Sequence, residues 1–178
     1  MKVRYLGVIV SLLLVGSCNK TTEQKEKTTT SKTTKVVADE STTFLNKQIS
    51  SINYQIQAFE LGNERSKNAE VKKFISENLA KLNVLLKDFE MAYKEKAGTD
   101  AVSNDSHKND LYKLSIADDK DFDNLFPKYY KEFLTLKMSE LASEQLKDSK
   151  VNGLKDAYGK TLYEHKLFFD LIKNSDSK

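Results

Sequence analysis

The sequence predicts an all-α protein, a four-helix bundle made of two helical hairpins joined by a long crossover. Three observations predict it. After residue 43, apolar residues recur at spacings of three and four, the repeat of a single helix face. One proline and six glycines in 178 residues leave little punctuation for a chain of many short strands. A long polar connection, residues 98 to 118, interrupts the helical pattern midway.

The first helix is expected to begin at Ser41-Thr42-Thr43, whose hydroxyls suit an N-cap. Its stripe is Leu45, Ile49, Ile52, Ile56 and Phe59, and it runs to Arg65. Asn68 then caps a second helix with Val71, Ile75, Leu82, Leu85, Phe89 and Ala92 on its inner face, ended by Gly98. Residues 98 to 118 carry turn formers and one apolar cluster, Leu111, Tyr112, Leu114 and Ile116. A connection of this length is unusual in a compact bundle. It is long enough to run back along a helix, with the cluster packed on the outside.

The third helix begins between Asp119 and Asp121, whose carboxylates favour a helix N-terminus. Pro127 is expected to kink or restart it, and Tyr130, Phe133, Leu136, Met138 and Leu141 carry it to Lys147. The fourth helix runs from Ser149 to Asn174 with Val151, Leu154, Tyr158, Leu162, His165, Phe169 and Ile172 inward. Gly153 and Gly159 weaken it by up to about 1 kcal/mol each unless a neighbour packs against them.

A shift of 80 residues lays one half of the chain over the other. Glu60-Leu61-Gly62-Asn63-Glu64 falls on Glu140-Leu141-Ala142-Ser143-Glu144, Asn68 on Asp148, Val71 on Val151, Phe74 on Leu154 and Leu82 on Leu162. Two equivalent hairpins and a long crossover define a ferritin-like topology. The folded domain is expected to span residues 44 to 174.

The N-terminus states a location. Lys2 and Arg4 precede an apolar run from Tyr5 to Val15, the layout of an export signal and too short to span a bilayer. Val15-Gly16-Ser17-Cys18 resembles the bacterial lipobox, which implies cleavage after residue 17 and acylation of Cys18, with palmitate among the acyl chains. Cys18 is the sole cysteine, so no internal disulfide is possible, and acylation accounts for both its position and its solitude. Two or more acyl chains anchor a protein stably. Residues 18 to 43 then form a disordered tether, since residues 19 to 43 hold nine threonines, five lysines and only three apolar side chains. The membrane is therefore an expected partner, along with an envelope component of unspecified chemistry. Asn19-Lys20 lacks the aspartate that retains some lipoproteins at the inner membrane, which points to the outer membrane, facing the periplasm.

Composition excludes other classes. The formal charge of +3 falls to +1 once Lys2 and Arg4 are removed, which argues against nucleic acid as a partner. There is no Gly-x-Ser-x-Gly, no phosphate-cradling glycine loop and no thiol left free by acylation. The expectation is a non-enzymatic binding or structural module without a cofactor.

Glu60-Leu61-Gly62, the run Asn68-Ala69-Glu70-Val71-Lys72-Lys73-Phe74, Asp121-Phe122-Asp123 and Leu162-Tyr163-Glu164-His165 resemble the exported bacterial proteins of domain-of-unknown-function family 4142, many of them designated outer-membrane proteins. The resemblance covers residues 44 to 174. It implies a ferritin-like bundle at a membrane face and brings no settled activity. Members often carry an acidic residue followed by histidine midway along the second helix, where this chain has Glu77-Asn78.

A second reading is a metal-binding or stress-protective bundle holding iron, manganese or zinc through Glu60, Glu64, Glu140, Glu144 and His165. Di-iron bundles use Glu-x-x-His from two helices, and no such motif occurs here. Glu60 and Glu64 are expected at a solvated seam and His165 as a hydrogen-bonded core residue. His107, in a polar loop, is expected to face solvent. The pairs Tyr129-Tyr130 and Phe168-Phe169 cannot each point both rings inward, so their outer members are candidates to line a groove for a peptide, lipid or glycan.

Overall fold

The computed structural model describes residues 39–102 and 106–172. The signal segment 1–17, Cys18 and the tether up to residue 38 lie outside them, as do residues 173–178. The described residues are all-α as expected, with five helices and no strand: α1 Glu40–Arg65, α2 Ala69–Ala97, α3 Lys108–Ser115, α4 Asp119–Ser143 and α5 Ser149–Leu171.

Local chemistry sets the helix ends. Asp39, not the hydroxyls beyond it, caps α1: its Oδ1 accepts from the Ser41 amide at 2.8 Å. Thr42 instead turns its hydroxyl back onto the Asp39 carbonyl, and residues 40–43, expected in the tether, are helical. Asn68 Oδ1 accepts from the amides of Glu70 and Val71, and Asp148 Oδ1 accepts from Val151 in the same way. The two halves thus repeat their turns: Val71 and Val151 are both buried, as are Leu82 and Leu162. Gly98 closes α2 at φ +71°, the left-handed conformation that glycine adopts without strain, and its amide bonds to the Lys94 carbonyl.

Contacts between helix ends give their directions. Arg65, the last residue of α1, binds Asp119, the first of α4, while Lys47 near the start of α1 pairs with Glu140 near the end of α4. These helices are therefore antiparallel. Lys96 at the end of α2 pairs with Asp148 just before α5, and Phe74 near the start of α2 stacks on Phe168 near the end of α5. The connection from α2 to α4 carries the chain back along the molecule, and α3 within it packs on α1 and α4. Its anchor is Leu114, fully buried, whereas Tyr112 and Ile116 point outward.

The core holds every member of the predicted α1 and α2 stripes. Three expectations for the second hairpin need correction. α4 does not restart at Pro127 but continues through it, with Phe122 and Phe126, both buried and stacked at 5.6 Å, holding the turns before the proline against the core. It also ends at Ser143 rather than Lys147. Leu136 is 73 % exposed; it neighbours the inward positions Phe133 and Lys137 but lies on the outer side of the helix.

Two kinds of glycine emerge. A Cβ on Gly62 would stand 2.7 Å from Ile75 Cδ1 and 2.8 Å from Phe126 Cζ, so the absence of a side chain lets α1 sit close to its neighbours. Gly153 and Gly159 have open space at the Cβ position. Gly62→Ala should lower the midpoint of thermal unfolding, since overpacking of about 1–3 kcal/mol outweighs the gain in helix propensity. Gly153→Ala and Gly159→Ala should each raise it, by up to about 1 kcal/mol of stability. Circular dichroism melts of the three variants check both signs.

Candidate functional site

Two polar features stand out in the helical unit, one in its core and one in a cleft beside it. The core feature begins at His165, fully buried on α5 among Phe59, Phe74 and Tyr130. Gln55 Nε2 donates to the Tyr130 hydroxyl at 3.0 Å, and that hydroxyl lies 3.0 Å from His165 Nδ1. The other ring nitrogen, His165 Nε2, has no hydrogen-bond partner among the described residues. Gln48 Nε2 and Oε1, Gln55 Oε1 and the Tyr158 hydroxyl are likewise buried without hydrogen bonds. Burial drives the His165 pKa from 6.5 down to about 3, assisted by the Lys81 charge, so the ring is neutral near pH 7.

The second feature is a cleft of about 200 Å³ between α1, α3 and α4. α1 contributes Tyr54, the start of α3 contributes His107 and Asp110, and α4 contributes Tyr129, Glu132, Phe133, Leu136, Lys137 and Glu140. The α4 positions fall at spacings of three and four, so one face of that helix forms a wall. Tyr54, His107 and Phe133 pack ring on ring, with centroids 4.6 Å (Tyr54–Phe133), 4.8 Å (Tyr54–His107) and 5.3 Å (His107–Phe133) apart. Ser51 Oγ lies 3.4 Å from His107 Nε2.

Burial shapes the charges of this cleft. It lowers the His107 pKa, helped by the Lys137 ammonium and opposed by Asp110 and Glu140. It lowers Lys137 too, against the Glu140 carboxylate that holds its proton. Burial pushes Glu140 up, but hydrogen bonds from Lys137 and Lys47 more than reverse it and leave Glu140 below its ordinary value. Burial and the Asp110 charge raise Tyr54 well above 10, so its hydroxyl stays protonated. A concave site with several displaced pKa values and convergent polar groups is a candidate binding or catalytic site on physical grounds.

His107 therefore does not simply face solvent; it is half-buried against Tyr54 and Phe133, because the connection folds back over α1. Tyr129 lines the cleft, while Phe168, the outer member of the other pair, is taken up in the stack on Phe74 at 3.8 Å. Tyr54, Asp110, Glu132 and Lys137 were not legible as site residues. Tyr54 lies off the inward stripe and is buried because His107 and Phe133 of α4 cover that face.

The five metal candidates are not brought together. Glu60 and Glu64 are exposed toward the C-terminal end of α1. Glu140 pairs with Lys47 and Lys137, and Glu144 lies 3.9 Å from Lys47. From Lys47 to Glu60 along α1 is about 20 Å at 1.5 Å per residue, so the two acidic pairs stand near opposite ends. Asn78 is buried and donates to the Phe74 carbonyl. Among the described residues no three His, Cys, Asp or Glu side chains are placed to share a metal ion.

A wider groove of about 840 Å³ runs between α4 and α5, lined among others by Lys128, Lys131, Glu132, Leu136, Lys166 and Asp170. It is shallow, no buried polar group faces it, and Lys166 and Asp170 satisfy each other. No helix among the described residues is long and apolar enough to cross a membrane. Compared with protein-family models, curated proteins and solved structures, the chain matches none.

The buried imidazole gives a pH prediction. In the unfolded chain His165 takes up a proton near pH 6.5, and in the folded protein only near pH 3. Between those values the unfolded state binds more protons, so folding stability falls as the pH is lowered, by up to about 1.4 kcal/mol per pH unit from this group. In His165→Phe the decline between pH 6.5 and 5, where the carboxylates remain ionised, should be shallower. Urea titrations at stepped pH measure that slope.

Proposed function

We propose that this chain is a lipid-anchored protein of the bacterial envelope whose helical unit is a non-enzymatic binding module. The observation that carries the anchoring is Cys18, the sole cysteine, standing behind a basic and then apolar N-terminus. Residues 18 to 39 are the tether in this reading, since α1 starts at Glu40. The outer membrane, facing the periplasm, is the location this reading favours.

The four long helices constitute a ferritin-like bundle in this proposal. The antiparallel pairing of α1 with α4 and of α2 with α5 supports it, together with the long return connection. Membership of domain-of-unknown-function family 4142 belongs to the same proposal and rests on the short segments that resemble it. Binding is favoured over a purely structural role by the cleft beside Tyr54, where buried and charged groups converge. The metal-binding reading is not carried forward, because its carboxylates stand at opposite ends of α1 and α4 and the nearer pair is neutralised by lysines.

Anchoring has a direct test. Cells expressing the full chain and fed labelled palmitate should incorporate label into the membrane-bound protein. Cys18→Ser should abolish the label and release the protein from the membrane fraction. Membrane retention of Cys18→Ser, or label that persists in it, contradicts the proposal.

A further inference from the structure

The cleft between α1, α3 and α4 has a chemistry specific enough to name a ligand class. We infer that it binds a small organic cation, an alkylammonium held against the Tyr54–His107–Phe133 wall with Glu132 as its counter-charge. This rests on reading the cleft as the binding site of the module.

The aromatic wall is the first support. Three rings meet with centroids within 5.3 Å of one another, and ring faces attract cations, most strongly where water is partly excluded. Burial keeps His107 in its neutral form near pH 7, so the wall carries no positive charge to repel an ammonium.

Charge balance is the second. Asp110, Glu132 and Glu140 line the cleft against one ammonium, Lys137. Lys137 and Lys47 occupy Glu140, and Lys113 pairs with Asp110 at 3.3 Å. Glu132 makes no ion pair among the described residues, so it is the carboxylate left to a ligand.

Tyr54 is the third. It is 2 % exposed, it lines the cleft, and its hydroxyl makes no hydrogen bond among the described residues. A polar group so placed gains from a partner that enters.

The chain shows the recognition mode at its own rim. Lys113 Nζ lies 6.0 Å from the centre of the Tyr129 ring while it pairs with Asp110, an ammonium held by one aromatic face and one carboxylate. The cleft repeats that combination with three rings in place of one and with Glu132 as the carboxylate. At about 200 Å³ it admits a small amine and excludes drug-sized ligands, whose pockets run from about 300 Å³ upward.

The test uses the mature chain from residue 18 with Cys18→Ser, titrated with tetramethylammonium and with 1,4-diaminobutane, and with sodium acetate and glycerol as contrasts. NMR should show saturable shifts at Tyr54, His107 and Phe133 for the amines alone. Glu132→Gln, an exposed position, should weaken binding about tenfold, the effect of losing one charge-assisted contact. Lys113→Gln should strengthen it by freeing Asp110, a gain that a merely structural role for Lys113 does not produce. Amine binding unaltered by Glu132→Gln overturns the assignment. Saturation by acetate or glycerol instead overturns the ligand class and leaves the cleft a binding site. If no probe moves the cleft residues, both the ligand class and the binding reading fall.

Discussion

One side chain, Arg65, fixes how the two hairpins meet. Its guanidinium donates to the carbonyls of Leu114, Ser115 and Ala117, pairs with Asp119 at 2.8 Å, and sits 4.7 Å above the Phe122 ring. The carbonyls at the end of α3 lack helical partners, and a charged five-donor fork satisfies several of them at once. The latch brings the end of the crossover and the start of α4 to the end of α1. Asp123 adds a second tie at the same place, accepting from the Ser66 hydroxyl and the Lys67 amide in the turn between α1 and α2.

Once that end is fixed, the crossover must lie along α1, and α1 becomes enclosed. Ser50 and Ser51 are buried and return their hydroxyls to the carbonyls of Asn46 and Lys47, a bond back to the preceding turn that lets a helix bury small polar residues. Tyr54 is buried on the same side, beneath His107. The cleft is thus a by-product of the latch: α3 covers α1 but does not fully close against α4. One turn further along α1, Gln55, Tyr130 and His165 link three helices through two hydrogen bonds. A polar chain of this kind is satisfied in one register of α1, α4 and α5, and slipping any helix by a turn leaves more buried polar atoms alone.

Much of the fold was legible because it is written in periodicity and caps. The stripes of α1 and α2 needed only spacing, and Asn68 begins and Gly98 ends a helix through chemistry carried by one residue. The repeat at 80 residues was visible for the same reason, as Asn68 and Asp148 do the same work. What was not legible depends on contacts between distant segments. Pro127 reads as a break unless one knows that Phe122 and Phe126 stack on the core before it. His107 reads as a loop residue unless one knows that the loop returns to α1. Glu60 and Glu140 occupy equivalent places in the repeat, which suggested a shared site. Yet α1 and α4 run antiparallel, so equivalence in sequence sends the two acidic pairs toward opposite ends.

The measurement that bears most directly on this account is amide hydrogen exchange of the full chain in Arg65→Lys, beside the unaltered protein. Lysine keeps the charge but not the planar fork that reaches three carbonyls and a carboxylate. The account predicts that the amides of Leu111 to Ser115 lose protection while the buried turns of α2 and α5 keep theirs, because α3 is released without unfolding the hairpins. Unchanged protection in α3, or an equal loss across all five helices, contradicts the claim that Arg65 holds the crossover in place.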